Sequence, residues 1–216
     1  MKTLLSLFDY SLNWARPYYE NGWAVCQLDI KHGNDINEID AEWVWENIFD
    51  NSPTGTVDGI IAAPPCTDFA VSGAQYWPRK DEDGSTEAAV ELIYQVLRIV
   101  DLCQPDFWAL ENPVGRLNKL VPELAEYGPW YFQPHWYGDA YTKKTGLWGE
   151  FNKPTKTNAV GLFQEVEATP YDEVEPERAC AQGSWLQKLG GKSERTKELR
   201  SMTPEGFAYA FWEANH

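Results

Sequence analysis

The chain has 216 residues, of which 43% are hydrophobic, 14% aromatic and 24% charged, with 11 tryptophans. This is the composition of a folded globular protein and argues against a disordered chain; the length suits one domain with a sizeable core, or one domain with a small appendage. A formal net charge of -15 speaks against broad non-specific affinity for nucleic acid, because Lys and Arg supply most of that affinity by neutralising phosphate.

Thr3 to Phe8 reads as a first strand, Asn13 to Asn21 as a helix closed by Gly22, and Ala24 to Ile30 as a second strand. Strand, turn, helix and strand, with a carboxylate (Asp29) at the end of the second strand, form a dinucleotide-type fingerprint in which the acid meets a ribose hydroxyl. The turn itself, Phe8 to Trp14, carries none of the glycines that such a fingerprint uses. Lys31 to Ile36 follows as a loop. Asp35 there reads equally as the N-cap of a helix from Ile36 to Ile48, with Trp43, Val44 and Ile48 as its apolar stripe.

Val57 to Ala63 is short, apolar and β-branched, as a strand buried on both faces of a parallel sheet requires. Pro64 and Pro65 end it, since each fixes its own φ and lacks an N–H, so Cys66 stands just beyond a strand's carboxyl end. Open α/β sheets bind ligands at that edge. A lone cysteine is often only a small buried hydrophobe; here Thr67, Asp68, Ser72 and Gly73 make the flanking segment polar and flexible, in the manner of a functional loop.

Trp77 to Ser85 is polar and rich in breakers and reads as an exposed mobile segment. Ser85 is expected to cap a helix carrying Ala89, Leu92, Ile93, Val96, Leu97 and Val100 at helical spacing. Phe107 to Leu110 forms the next strand and delivers Glu111 and Asn112 to the edge that holds Cys66. Leu120 to Tyr127 suggests a helix, Trp130 to Trp136 an extended segment, and Leu147-Trp148 the start of a further strand. Beyond Phe151 the pattern weakens, with an acidic run from Glu165 to Glu177 and a basic stretch from Gly183 to Leu199. Thr203 and Pro204 are expected to be the N-cap and first residue of a C-terminal helix. The expected division is a core over 1–150, a short insertion over 151–185, and a basic segment with a returning helix over 186–216.

Cys26, Cys66, Cys103 and Cys180 are far apart with no C-x-x-C pair, so no metal site and no disulfide framework is expected, and the compartment reads as reducing. Met1 to Phe8 begins like a signal peptide, but Asp9 stops the apolar run and no small-residue cleavage site follows. No stretch approaches the roughly twenty apolar residues of a membrane span. The chain therefore reads as cytoplasmic, with no membrane partner.

Ala63-Pro64-Pro65-Cys66 after an apolar strand resembles the catalytic motif of the DNA cytosine-5 methyltransferases. Pro105 to Pro113, a strand ending in Glu111-Asn112, resembles the family's next catalytic motif. Tyr137 to Gly149 resembles in position its later basic motif. Three blocks in this order span about three quarters of the chain and make the match specific; the compact enzymes of phage and prophage are the nearest in kind.

The resemblance implies an α/β, Rossmann-like methyltransferase fold with a mostly parallel sheet flanked by helices and a small irregular insertion for target recognition. It implies S-adenosylmethionine as cofactor, with Phe8 against the adenine, Asp29 on the ribose, Asp35 on the adenine amino group and Pro64 in the same cleft. Cys66 would be the nucleophile, Glu111 the acid at cytosine N3, Asn112 an orienting residue, and Lys144 the base-holding cation with Lys143 beside it. The DNA partner would be cytosine-containing and base-flipped. Arg79, Lys153 and Lys156, with Lys80, Arg116, Lys119 and the two motif lysines, would form a basic strip for it. Two other readings stay open: a pyrimidine-nucleotide C5-modifying enzyme, favoured by the acidic charge, and a catalytically silent relative that binds DNA or protein, favoured by the altered cofactor turn.

Overall fold

The computed structural model describes residues 1–50, 52, 54–139, 141–157 and 201–216. The acidic run, the basic stretch and most of the expected recognition insertion lie outside the described residues. Within them, six strands form one sheet: β1 (Thr3–Leu7), β2 (Ala24–Leu28), β3 (Gly59–Ala62), β4 (Phe107–Pro113), β5 (Trp130–Phe132) and β6 (Thr145–Glu150), in the order β2-β1-β3-β4-β6-β5. The first four are mutually parallel, and β6 runs antiparallel between β4 and β5. The described helices are α1 (Arg16–Glu20), α2 (Ala41–Val44), α3 (Trp77–Glu82), α4 (Ser85–Cys103), α5 (Leu117–Leu120) and α6 (Glu205–Ala214). This is a Rossmann-like α/β architecture with a mixed sheet.

Alternation along the central strands explains the two-sided core. Leu5, Leu7, Ile60, Ala62, Trp108 and Leu110 face a layer built from α4 (Ala89, Ile93, Val96, Ile99) and from Ile36, Val44 and Ile48. Leu4, Ile61, Phe107 and Ala109 face the opposite layer, made by Trp14, Ala15 and Tyr18 with Phe207, Ala208 and Phe211 of α6. Both faces of these strands are apolar because both are covered. Each such Leu, Ile or Phe side chain removed from water contributes about 1.5–3 kcal/mol.

Several elements depart from the sequence expectation for visible reasons. The helix expected from Asn13 begins only at Arg16, because residues 8–14 form a turn in which Phe8 and Leu12 both take φ of 60°. The helix expected over Ile36 to Ile48 is divided into a 3-10 turn (Ile36–Glu38), α2 and a π-helical turn (Trp45–Phe49). Extended Ile39 breaks it, and Asp40 restarts it by accepting from Trp43 N at 2.8 Å. Trp77 to Ser85 is largely exposed, as expected, but it is not irregular throughout: α3 occupies Trp77–Glu82, with proline in its first turn. Ser85 does not cap α4; Gly84 holds that position in a left-handed conformation, and Asp83 accepts from Ser85 N at 3.0 Å. The expected helix from Leu120 is a 3-10 turn (Pro122–Glu126) following α5. Thr203 does not cap α6 either; the half-buried Asp139 accepts from Gly206 N at 3.1 Å instead.

Register levels the carboxyl ends of the central strands. Leu7 pairs with Ala62, and Ala62 with Leu110, so Phe8, Ala63 and Glu111 stand at one level, the first two just past β1 and β3 and the third still within β4. The chain passes from β1 outward to β2 and then back across β1 to β3, so the order reverses between β1 and β3. Crevices at such reversals, at the carboxyl ends of strands, are where open α/β sheets bind ligands.

Candidate active site

Cys66 follows β3 by four residues, through buried Pro64 and exposed Pro65, and is itself half-buried. Its carbonyl accepts from Phe69 N at 3.1 Å and Ala70 N at 2.9 Å, so the segment turns tightly immediately after the thiol. Cys103 stands elsewhere, in the core, and the partly buried Cys26 packs against that core. Burial pushes both of their thiols up, that of Cys103 to about 11, which makes them poor nucleophiles at neutral pH.

Glu111 and Asn112 lie inside β4, which is one strand spacing of about 4.8 Å from β3; antiparallel β6 keeps β4 paired out to Pro113. Asn112 is fully buried and donates from Nδ2 to Pro64 O at 3.3 Å, tying the β4 end to the approach to Cys66. Its Oδ1 is buried with no hydrogen-bond partner among the described residues. Lys143 Nζ stands 3.4 Å from Glu111 Oε1, and the two side chains are 14% and 6% exposed. The lysine is held in place by its own main chain: its N–H donates to Gln133 Oε1 at 3.0 Å, and its carbonyl accepts from Thr145 Oγ1 at 2.9 Å. Tyr141 is close enough for the Glu111 charge to add to the burial and Asp139 charge that hold its hydroxyl well above the usual range.

The structure therefore brings Lys143 to the carboxylate and turns Lys144 away. Lys144 is exposed, with its ammonium 4.5 Å from the Tyr131 ring centre. The two lysines lie in the segment just before β6, and the main-chain bonds of Lys143 set which of them faces Glu111.

On the β1 side, Phe8 is half-buried at the end of the strand, with its N–H on Leu28 O at 2.8 Å. Asp29 is 9% exposed and accepts from Lys31 N at 2.9 Å, while Asp35 accepts from Asn37 N at 3.0 Å. Each caps a short 3-10 turn, and both stand on the loop after β2. The glycine-free turn is organised by Asp9, which in the sequence stood out only as the residue that stops the first apolar run. Its buried carboxylate accepts from Ala15 N at 3.0 Å and from Ser6 and Ser11 hydroxyls at 3.3 Å. Its main-chain oxygen accepts from the Gln27 side chain. Burial pushes this carboxyl up, against the opposing pull of the Ala15 N–H and the two serines. An aspartate directly after an apolar strand, with serines two and three residues away, was the signal available for it.

The expected basic strip divides into two groups. Lys80 and Arg116, like Lys143, are turned inward: Lys80 Nζ lies 2.9 Å from Asp68 Oδ1, and Arg116 forms a fork onto Asp81 at 2.9 and 2.8 Å. Arg116 first and Thr86 second hold the Asp81 carboxyl below its usual range. Arg79, Lys119, Lys144, Lys153 and Lys156 are exposed. Arg79 makes only a loose pair with Asp83 at 3.8 Å, and the Lys156 ammonium lies over the Trp136 ring at 3.4 Å. Among the described residues no helix is long and apolar enough to cross a membrane, and no group of three or more His, Cys, Asp or Glu is placed to hold a metal ion.

A family model described as C-5 cytosine-specific DNA methylase matches residues 12–120, just over half of the chain, and includes Cys66, Glu111 and Asn112. No curated protein matches the sequence. Among solved structures the chain is similar to a crystal structure described as a DNA modification methyltransferase encoded within an E. coli prophage, at 18% identity and a TM-score of 0.49. That match covers 77% of this chain, and this chain spans 50% of the other.

Proposed function

The chain belongs to the C-5 cytosine-specific DNA methylase family, and on that premise we propose that it transfers a methyl group from S-adenosylmethionine to carbon 5 of cytosine in DNA through a covalent adduct on Cys66. The observation that carries this reading is the shared edge: Cys66 just past β3, Glu111 and Asn112 at the end of adjacent β4, and Asn112 bonded across to Pro64.

Cytosine C5 is too weak a nucleophile to accept a methyl group unaided. The Cys66 thiolate forms a bond to C6, the C5=C6 pair shifts to make C5 nucleophilic, and N3 takes a proton from the Glu111 carboxyl. Lys143 stands beside Glu111, positioned to hold the ring's carbonyl oxygen as a point donor, without the bidentate fork of an arginine. After C5 is methylated, its proton leaves to water or a weak base, the S–C6 bond breaks to return the thiolate, and N3 gives its proton back. The target base has to leave the duplex to reach this edge.

The residues at the β1 and β2 ends fit the cofactor. An aromatic side chain (Phe8) and two carboxylates (Asp29 and Asp35) suit an adenosine carrying a cationic sulfonium, and Pro64 closes the β3 side. S-adenosylmethionine has no pyrophosphate, so a turn without glycine is compatible with it, with Asp9 and two positive-φ residues fixing the backbone instead. When bound, the cofactor supplies an electrophilic methyl group. A cytoplasmic setting accords with this use.

A second reading, a free pyrimidine nucleotide as acceptor, is favoured by the charge of -15 and by the inward commitment of Lys80 and Arg116. Incubation with labelled S-adenosylmethionine and equal concentrations of cytosine-containing DNA or deoxycytidine nucleotide separates the two. Label in DNA supports the first reading. Faster label in the nucleotide installs the second, and label in neither leaves the catalytically silent relative.

A further inference from the structure

The five carbonyls from Cys66 to Ala70 each accept a hydrogen bond, and three of the bonds come from two residues outside the segment. Thr67 O accepts from Lys80 Nζ at 2.9 Å, Asp68 O from Arg116 Nε at 2.9 Å, and Phe69 O from Arg116 N at 3.0 Å. The other two close locally: Cys66 O takes Phe69 N and Ala70 N, and Ala70 O takes Gly73 N.

Arg116 is the centre of this arrangement. Its side chain is 10% exposed, stacks on the Trp77 ring at 4.6 Å, forms the fork onto Asp81, and donates to Thr86 Oγ1 at 2.8 Å. It thus joins the cysteine segment to α3, to the first turn of α4 and to the exit of β4. Lysine has neither the fork nor the flat stacking face, so it cannot replace these contacts together. A guanidinium serving DNA phosphate would face water; this one is spent on a carbonyl two residues from the thiol.

The geometry points to Arg116 as a positioning residue for the Cys66 thiol, with Lys80 as its partner, so that the nucleophile is presented on a preset segment before any substrate arrives. The inference rests on the reading of Cys66 as the nucleophile in methyl transfer. Loosening the segment would make the thiol easier for a small reagent to reach and harder to align with a base. A displacement near 1 Å is enough to cost about a hundredfold in rate.

The test uses the full-length protein carrying Arg116→Lys and, separately, Lys80→Met. Alkylation by iodoacetamide, without DNA or cofactor, is followed by mass spectrometry at Cys66, Cys26 and Cys103; kcat and KM for methyl transfer to DNA are measured in parallel. Expected for Arg116→Lys is Cys66 alkylation faster by about fivefold through local opening, with Cys26 and Cys103 unchanged. The same variant should lose about 10- to 100-fold in kcat with KM for DNA within about twofold. Lys80→Met should show the same pattern more weakly. Wild-type alkylation and kcat in Arg116→Lys would overturn the assignment. So would an equal rise at all three cysteines in both variants, since the two residues would then hold the fold and not the thiol. If wild-type protein transfers no methyl group, the methyltransferase reading fails, while the alkylation comparison still decides whether Arg116 sets the thiol.

Discussion

Replacing Gly115 by alanine tests how closely the end of β4 and the cysteine segment must approach. A Cβ built on Gly115 falls inside the Phe69 carbonyl, 2.6 Å from its carbon, and 3.1 Å from Ala70 Cα. Ordinary carbon contacts begin near 3.5 Å, so the two segments must part by about 1 Å. That parting strains the Ala70–Gly115 bridge and two main-chain bonds, Val71 N to Val114 O and Arg116 N to Phe69 O, both 3.0 Å. Two bonds at about 1 kcal/mol each, plus about 1–3 kcal/mol for leaving a partly buried group unpaired, give about 3–5 kcal/mol of lost stability. The same shift carried to Cys66 would cost about a hundredfold in transfer rate. Urea unfolding gives the first quantity, provided the m-value is unchanged, and single-turnover methyl transfer gives the second. A variant with both the midpoint and the rate of the wild type would refute the close approach and the dependence of the thiol on it.

The two adjacent lysines should separate by role. Lys143→Met removes the partner of the buried Glu111 side chain and should cost about 3–5 kcal/mol of stability and most of kcat, whereas Lys144→Met should leave kcat within about twofold and lower only salt-sensitive DNA affinity; a circular-dichroism melt and steady-state kinetics read both, and equal effects would mean the pairing with Glu111 is not used. Asp139 has its carboxyl raised from 3.8 to about 6, chiefly by burial, which outweighs the opposing hydrogen bond from Gly206 N and is reinforced by the Glu205 charge. A raised folded value means that this group's contribution to stability is fully present below pH 3.8 and is lost as pH rises through about 6. The full shift corresponds to about 3 kcal/mol, which solvent screening of this half-exposed group reduces to about 1 kcal/mol. Stability of the wild type minus that of Asp139→Asn should therefore fall by that amount between pH 4 and 7, and a flat difference would remove the effect. Lys153→Ala with Lys156→Ala should weaken DNA binding for all sequences alike and reduce the slope of log affinity against log salt by about 2, as measured by fluorescence anisotropy in a salt series; an unchanged slope would exclude both from the DNA contact.

Much of the reactive edge was legible because it is written in local rules. An apolar run stopped by Pro64-Pro65 announces a buried strand and its end, and Phe107 to Leu110 followed by Glu111-Asn112 does the same. What local rules omit is pairing at a distance. Antiparallel β6 extends β4 through Pro113, which no residue of β4 foretells. Among neighbouring lysines, only the folded side-chain contacts show that Lys143 meets Glu111 while Lys144 meets Tyr131. Arg116 and Lys80 looked like DNA-facing cations because net charge and sequence proximity say nothing about which carboxylate or carbonyl a long side chain reaches. The Phe8 to Trp14 turn was read by its missing glycines, whereas the structure meets the same need through Asp9 and through positive φ at Phe8 and Leu12. The caps of α4 and α6 were assigned to the nearest Ser and Thr, but Asp83 and Asp139 supply the acceptors, the latter from far away in sequence.

The most direct measurement is a covalent trap. A DNA duplex carrying 5-fluorocytosine is incubated with the protein and S-adenosylmethionine, and the product is digested and mapped by mass spectrometry. Fluorine replaces the proton that must leave C5, so the enzyme should stall as a methylated adduct joined through the sulfur of Cys66, and Cys66→Ser should form none. An adduct on Cys26, Cys103 or Cys180, or methylation by the serine variant at the wild-type rate, would contradict covalent catalysis by Cys66.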